Sequence, residues 1–234
     1  MFIYQLTQTI RLGGNYEEIM KKLMVWGYSA QSLDELAKRK VPKVSLGEVG
    51  ISEEFNPKKT HPDFDFPWSW FVKGQEIPPM PEKVYVCLKK ARGVTFDFLP
   101  YGYNFFIMSA RFLEFIKKYG FNYNFGMSEA IIVNTKGELL TNEVYYLVRI
   151  VSWEIEDEIV YPDLGRDEKG FSLEAYTNSD KDILLSSKYK YMEAFMVSEN
   201  LKEKILEMFS LPFLYTLKEW KEQNDYEIIG FDKL

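Results

Sequence analysis

Phe106-Ile107-Met108-Ser109 and Phe195-Met196-Val197-Ser198 decide how this chain is read. Each is a short apolar run that stops at a serine. Ala110-Arg111-Phe112-Leu113-Glu114-Phe115-Ile116 follows the first, and Glu199-Asn200-Leu201-Lys202-Glu203-Lys204-Ile205 follows the second. Both continuations place apolar residues at helical spacing. The serines, the glutamates Glu114 and Glu203 and the isoleucines Ile116 and Ile205 keep one spacing. A buried strand that delivers a serine N-cap to an amphipathic helix accounts for each block. Its double occurrence suggests one unit used twice.

The surrounding sequence supplies further elements. Phe2 to Gln8 reads as a strand. Tyr16, Ile19, Met20, Leu23 and Met24 recur at helical spacing behind Asn15, with Gly27 as the stop. Ser32-Leu33-Asp34-Glu35 has the form of a capping box. Lys38-Arg39-Lys40 suits the last turn of that helix, and Pro42 ends it. From Gly50 to Glu82 periodicity is lost among six prolines, while Phe64, Phe66, Trp68 and Trp70 alternate with Asp65, Pro67 and Ser69. A long aromatic stretch of this kind packs across a protein body more often than it hangs free. Contact with a partner through Trp68 and Trp70 is the sharper reading. Val84–Leu88, Val94–Phe98, Ala130–Asn134 and Val144–Val151 read as strands, with Thr135-Lys136-Gly137 as a turn. The first helix is expected to stop near Gly120 and the second to run from Glu199 to Phe209. Pro212 introduces Phe213-Leu214-Tyr215, and Tyr226–Phe231 reads as a last strand.

These elements predict an α+β fold, with a mixed, mostly antiparallel sheet and covering helices. Strands joined by short turns argue against a doubly wound sheet. The 234 residues are read as a single domain, with two pseudo-related halves as a variant of that reading. Residues 1–93 form its N-terminal part with the aromatic and proline-rich segment, and residues 94–234 the remainder. A hydrophobic fraction of 46% excludes disorder over most of the chain.

The formal charge of −6 leaves no basic footprint for direct nucleic-acid binding. One cysteine, Cys87, rules out an intrachain disulfide and fits a reducing cytoplasm. Met1 to Gln8 lacks the basic start and apolar core of a signal peptide. The longest apolar runs fall short of the roughly 18 residues that a membrane helix needs, so no membrane association is expected.

Little in the chain points to catalysis. The lone histidine, His61, precedes Pro62 in the irregular stretch and reads as a loop residue. With one thiol and one imidazole, no Cys/His zinc cluster can form within the chain, and no metal or other cofactor is expected. No Gly-x-Ser-x-Gly elbow accompanies His61. Cys87 lies in an apolar strand-like run and reads as a small core residue. Gly13-Gly14 before Asn15 reads as a turn and cap rather than a phosphate cradle. The carboxylates Glu156-Asp157-Glu158 admit two readings, as acids or ligands of an unidentified enzyme acting on a sugar or nucleotide, or as solvated charge. Between Val151 and Asp182 ten acidic residues face three basic ones, a local net of −7, so the remaining chain is close to neutral. Glu154, Glu156, Asp157, Glu158, Asp163, Asp167 and Glu168 are therefore candidates for steering a basic partner.

From Val94 onward the pattern resembles a family of bacterial immunity proteins from polymorphic toxin systems, immunity protein forty-three, with the related and larger eleventh family as a second match. The resemblance lies in Phe106-Ile107-Met108-Ser109 with Phe112-Leu113, then Asn134-Thr135-Lys136-Gly137-Glu138, then Tyr145-Tyr146-Leu147-Val148-Arg149. Phe195-Met196-Val197-Ser198-Glu199-Asn200-Leu201-Lys202 follows, with Leu211-Pro212-Phe213 behind it. The resemblance implies an α+β cytoplasmic protein that binds and neutralises a cognate toxin domain, and it carries over no catalytic residue. Given the acidic stretch, a basic nuclease is the expected toxin. An enzyme using loop carboxylates and a phage or mobile-element scaffold protein are the alternatives.

Overall fold

The computed structural model describes residues 23–28, 49–56, 66–68, 74–101, 105–121, 123–151, 170–172, 181–185, 194–210, 212–224 and 227–229. The expected strand at 2–8 and the capping box at Ser32 lie outside them. The fold is α+β. A six-stranded sheet has the order β2-β3-β6-β7-β5-β4, formed by Val49–Ser52, Lys83–Leu88, Phe125–Val133, Tyr145–Ile150, Phe105–Ser109 and Phe98–Tyr101. All its neighbours are antiparallel except β3 and β6. A four-stranded antiparallel sheet has the order β11-β1-β10-β9, formed by Leu214–Thr216, Leu23–Gly27, Ala194–Ser198 and Ile183–Leu185. A parallel pair joins β8 (Gly170–Ser172) to β12 (Glu227–Ile229). The helices are α1 (Ala110–Lys118), α2 (Lys202–Met208) and α3 (Leu217–Asn224).

The run Phe105–Met108 is apolar throughout because both faces of its sheet are covered. Phe106 and Met108 point with Phe98, Val148 and Ile150 into a core shared with the four-stranded sheet. Phe105 and Ile107 point with Leu99, Tyr101 and Leu147 into a second core on the opposite face. The shared core is held by rings. Trp26 of β1 lies 4.9 Å from Phe112 of α1 and 5.0 Å from Phe209 behind α2. Phe195 of β10 meets Phe98, Phe106 and Phe112 of the first unit. Such tilted and edge-on pairs each add about 0.5–1.5 kcal/mol beyond area burial.

The doubled sequence block is a doubled piece of topology. In the first unit β4 and β5 pair antiparallel and α1 follows; in the second, β9 and β10 pair antiparallel and α2 follows. In each, the serine at the end of the second strand donates its N–H to an aspartate carbonyl just before the first strand. Ser109 reaches Asp97 at 2.7 Å and Ser198 reaches Asp182 at 2.8 Å. The next neighbours also correspond, with β7 then β6 beside β5, and β1 then β11 beside β10.

The structure alters four expectations. Leu23 and Met24 belong to a strand, not a helix: the short apolar run Leu23–Gly27 is inserted between β10 and β11, and such a run carries no decisive periodicity. Gly27 fits there for lack of a side chain, since a Cβ would lie 2.7 Å from the Ala194 Cβ and 3.0 Å from Trp220. Val94–Phe98 is not the strand; β4 starts at Phe98, because residue 97 is committed to the turn contacts of Ser109. Pro100 is tolerated in β4 because that strand is at the sheet edge. Val49–Ser52, partly inside the stretch read as irregular, pairs with β3. Ser198 makes no side-chain cap and instead leads into one 3-10 turn, Glu199–Leu201, before α2. Two further points extend the sequence reading. Helix α1 ends as expected, with Gly120 at φ +119 and Phe121 N–H returning to the Ile116 carbonyl at 2.9 Å. Helix α3 was not foreseen, although Thr216 and Glu219 form a capping box, with Thr216 N–H at 2.7 Å from Glu219 Oε2 and Glu219 N–H at 3.2 Å from Thr216 Oγ1.

Ser109 caps α1 by accepting from Phe112 N–H at 3.2 Å, and its hydroxyl donates to Asp97 Oδ1 at 2.9 Å. Ser109→Ala should therefore lower stability by about 1–2 kcal/mol, while Ser198→Ala stays within about 0.5 kcal/mol of the parent. Urea unfolding of the two variants measures this; equal losses would contradict the asymmetry.

Candidate functional site

Glu154, Glu156, Asp157, Glu158, Asp163, Asp167, Glu168, Trp70 and His61 lie outside the described residues. Trp68 lies within them and is 5% exposed. Its ring stacks on Phe66 at 4.6 Å, meets Phe105 edge-on, and its indole N–H donates to Glu53 Oε1 at 2.8 Å. Trp68 thus takes the packing role favoured for the proline-rich stretch.

Arg149 explains how that stretch is fastened. It is 2% exposed, next to the last residue of β7. Its guanidinium donates to the Trp68 carbonyl, and to the Pro78 carbonyl at 2.7 Å. Opposite it on β6 stands Gly126, where a Cβ would lie 3.1 Å from Arg149 Nη2. The missing side chain at Gly126 makes room for the arginine. Burial lowers the pKa of Arg149 by disfavouring its charge. The two carbonyls offset that penalty only while both stay in place. Within the apolar block Tyr145–Arg149, a charged residue at a position alternating with Leu147 was the available sequence signal.

A second buried polar centre forms around Asp97, which is 4% exposed. Asp97 Oδ1 accepts from Ser109 Oγ and from Arg111 Nε at 2.6 Å. Oδ2 accepts a longer bond from Ser210 N–H at 3.3 Å. The carboxylate therefore ties the strand-to-helix corner of the first unit to the chain leaving α2. The hydrogen bond to Asp97 raises the Arg111 pKa. Two tyrosine hydroxyls anchor the same strand entry, Tyr145 on the Phe96 carbonyl at 2.7 Å and Tyr28 on the Phe98 carbonyl at 2.9 Å. Burial, then the Asp97 charge, pushes both hydroxyls far above the usual phenol range. A small pocket opens beside this centre. Asp97, Phe98 and Phe209 form its buried floor, and Tyr28, Ser210 and Phe213 stand at its mouth.

Cys87 is buried in β3, and burial raises its thiol pKa. Both facts suit a core residue and oppose thiolate reactivity. Among the described residues no three His, Cys, Asp or Glu side chains gather as a metal site. Among the same residues no helix is long and apolar enough to cross a membrane. On the first-core side of the six-stranded sheet, beyond α1, Met127 is 48% exposed, and Lys83 and Glu129 pair at 3.4 Å across β3 and β6. That pair is half-exposed and contributes little to stability.

The model of the family described as immunity protein 43 matches residues 39–228. No curated protein matches the chain.

Arg149→Ala should destabilise the protein by roughly 3 kcal/mol or more, through the lost packing and the two abandoned carbonyls. Arg149→Lys should recover only part of this, because an ammonium cannot present the guanidinium fork. Thermal melts with limited proteolysis across residues 66–80 check this; a fully stable Lys variant would contradict the fork.

Proposed function

The chain belongs to the immunity protein 43 family, and on that premise we propose that it binds a cognate toxin domain and neutralises it stoichiometrically. The match over residues 39–228 carries this reading. It spans both strand–serine–helix units, the whole six-stranded sheet and the acidic stretch. A binding role needs a rigid frame and a displayed contact surface rather than an assembled set of nucleophile, base and orienting group. The frame is supplied by the two cores.

The acidic stretch from Glu154 to Glu168 is the proposed contact surface. Glu154, Glu156, Asp157, Glu158, Asp163, Asp167 and Glu168 are opposed within it only by Arg166. A concentrated negative field speeds encounter with a positive surface and disfavours partners of like charge. Toxins that act on nucleic acid carry positive surfaces to hold phosphates. A basic nuclease is therefore the toxin chemistry that this charge fits. Trp70 belongs to the same proposal. Trp68, being buried, would hold the neighbouring segment in position rather than meet the toxin directly.

The test is protection of cells that express the toxin domain encoded beside this chain, combined with direct binding kinetics. The wild-type chain should protect and form a one-to-one complex. Changing Glu156, Asp157 and Glu158 together to Lys should slow association about tenfold or more at low salt and abolish its salt dependence. Unchanged kinetics at both salts would remove the acidic stretch from the interface.

A further inference from the structure

We propose that the pocket beside Asp97 is a socket for one ammonium group, the tip of a lysine side chain presented by the protein partner. The inference rests on the immunity reading for its occupant, but the socket itself rests on geometry. Its floor is a carboxylate that is almost fully buried. Oδ1 of that carboxylate is saturated by Ser109 and Arg111, whereas among the described residues Oδ2 holds only the 3.3 Å contact from Ser210. A carboxylate oxygen accepts two hydrogen bonds, so Oδ2 has capacity left. Asp97 and Ser210 both line the pocket, and Oδ2 is the carboxylate oxygen that contacts Ser210.

The walls suit a cation. Tyr28 sits between two rings, 5.3 Å from Phe98 and 5.7 Å from Phe213. Aromatic faces around a carboxylate stabilise a positive group that has left water. Arg111 already shows this at Oδ1, which it bonds with its guanidinium carbon 6.0 Å from the ring centre of Phe209, a residue of the pocket lining. Size then selects the group. The cavity measures about 10 Å³, room for one water. An ammonium is about as large as a water molecule, so it is the cation that this volume suits best.

Two experiments on the full chain test this. In the first, methylammonium, guanidinium and tetramethylammonium are titrated against isotope-labelled protein while the Gly27 and Ser210 amide signals are followed. Methylammonium should give saturable shifts, and the two larger cations should give less than a fifth of that response. Equal responses to all three, or none to methylammonium, would overturn the socket. The second uses Ser210→Gln, which plugs the exposed mouth yet keeps the backbone N–H on Asp97. Its melting temperature should match the parent, its methylammonium response should vanish, and its affinity for the toxin domain should fall about tenfold or more. Dimethylation of the toxin's lysines, which keeps their charge but enlarges the tip, should weaken the wild-type complex to the same degree. If the plug abolishes the methylammonium response but leaves toxin affinity intact, the partner-lysine assignment is wrong. If the wild-type chain fails to bind or protect against the toxin at all, the immunity reading fails instead, and the methylammonium titration still decides the socket.

Discussion

Five rings from five segments, Trp26, Phe98, Phe112, Phe195 and Phe209, are the constraint on which the rest of this structure depends. They come from β1, β4, α1, β10 and the end of α2. Neither sheet can move against the other without breaking several ring contacts at once. Phe98 and Phe112 stack at 4.7 Å, and Phe195 meets both edge-on. Phe112 and Phe209 of this cluster also seat α1 and α2, and Phe115 of α1 meets Phe209 edge-on. Replacing any one of them by a small side chain would leave a cavity among neighbours that are themselves locked by ring geometry.

The two strand–serine–helix units meet at this cluster but have diverged in their polar chemistry. Both keep the serine N–H on the carbonyl of a preceding aspartate. Only in the first is that aspartate buried, and only there does its side chain gather a hydroxyl, a guanidinium and a backbone N–H. Asp182 is exposed, and Ser198 is left without a capping role. Burial explains the difference. A carboxylate withdrawn from water must be supplied with donors, and the corner of the first unit supplies them. The second corner is exposed at Asp182, where bulk solvent can supply donors.

What could be read from the residues follows the same physics. Helix α1 was legible because Ser109, its apolar spacing and Gly120 all act locally. So were β3 and β7, whose apolar runs are bounded by turn residues. The strand at Leu23–Gly27 was not legible, because five apolar residues fit a helix as well as a strand and only pairing with β10 and β11 decides. Helix α3 carried a readable capping box at Thr216 and Glu219, but its polar composition hid the periodicity. The Asp97 centre escaped because its members, at positions 97, 109, 111 and 210, are brought together only by the two sheets. The acidic stretch was legible as charge, yet charge alone does not fix geometry.

Arg149 shows how the irregular stretch became part of the fold. A segment rich in proline cannot pair its backbone as a strand, so its carbonyls need other donors. One arginine supplies two of them, at Trp68 and Pro78, ten residues apart. The aromatic rings of the segment then close the second core, where Trp68 packs with Phe105 at the start of β5. The burial of Arg149 would be costly by itself, and the carbonyls of the segment would be costly to bury by themselves. Each makes the other tolerable. The outcome is a six-stranded sheet covered on its second face partly by chain without regular structure.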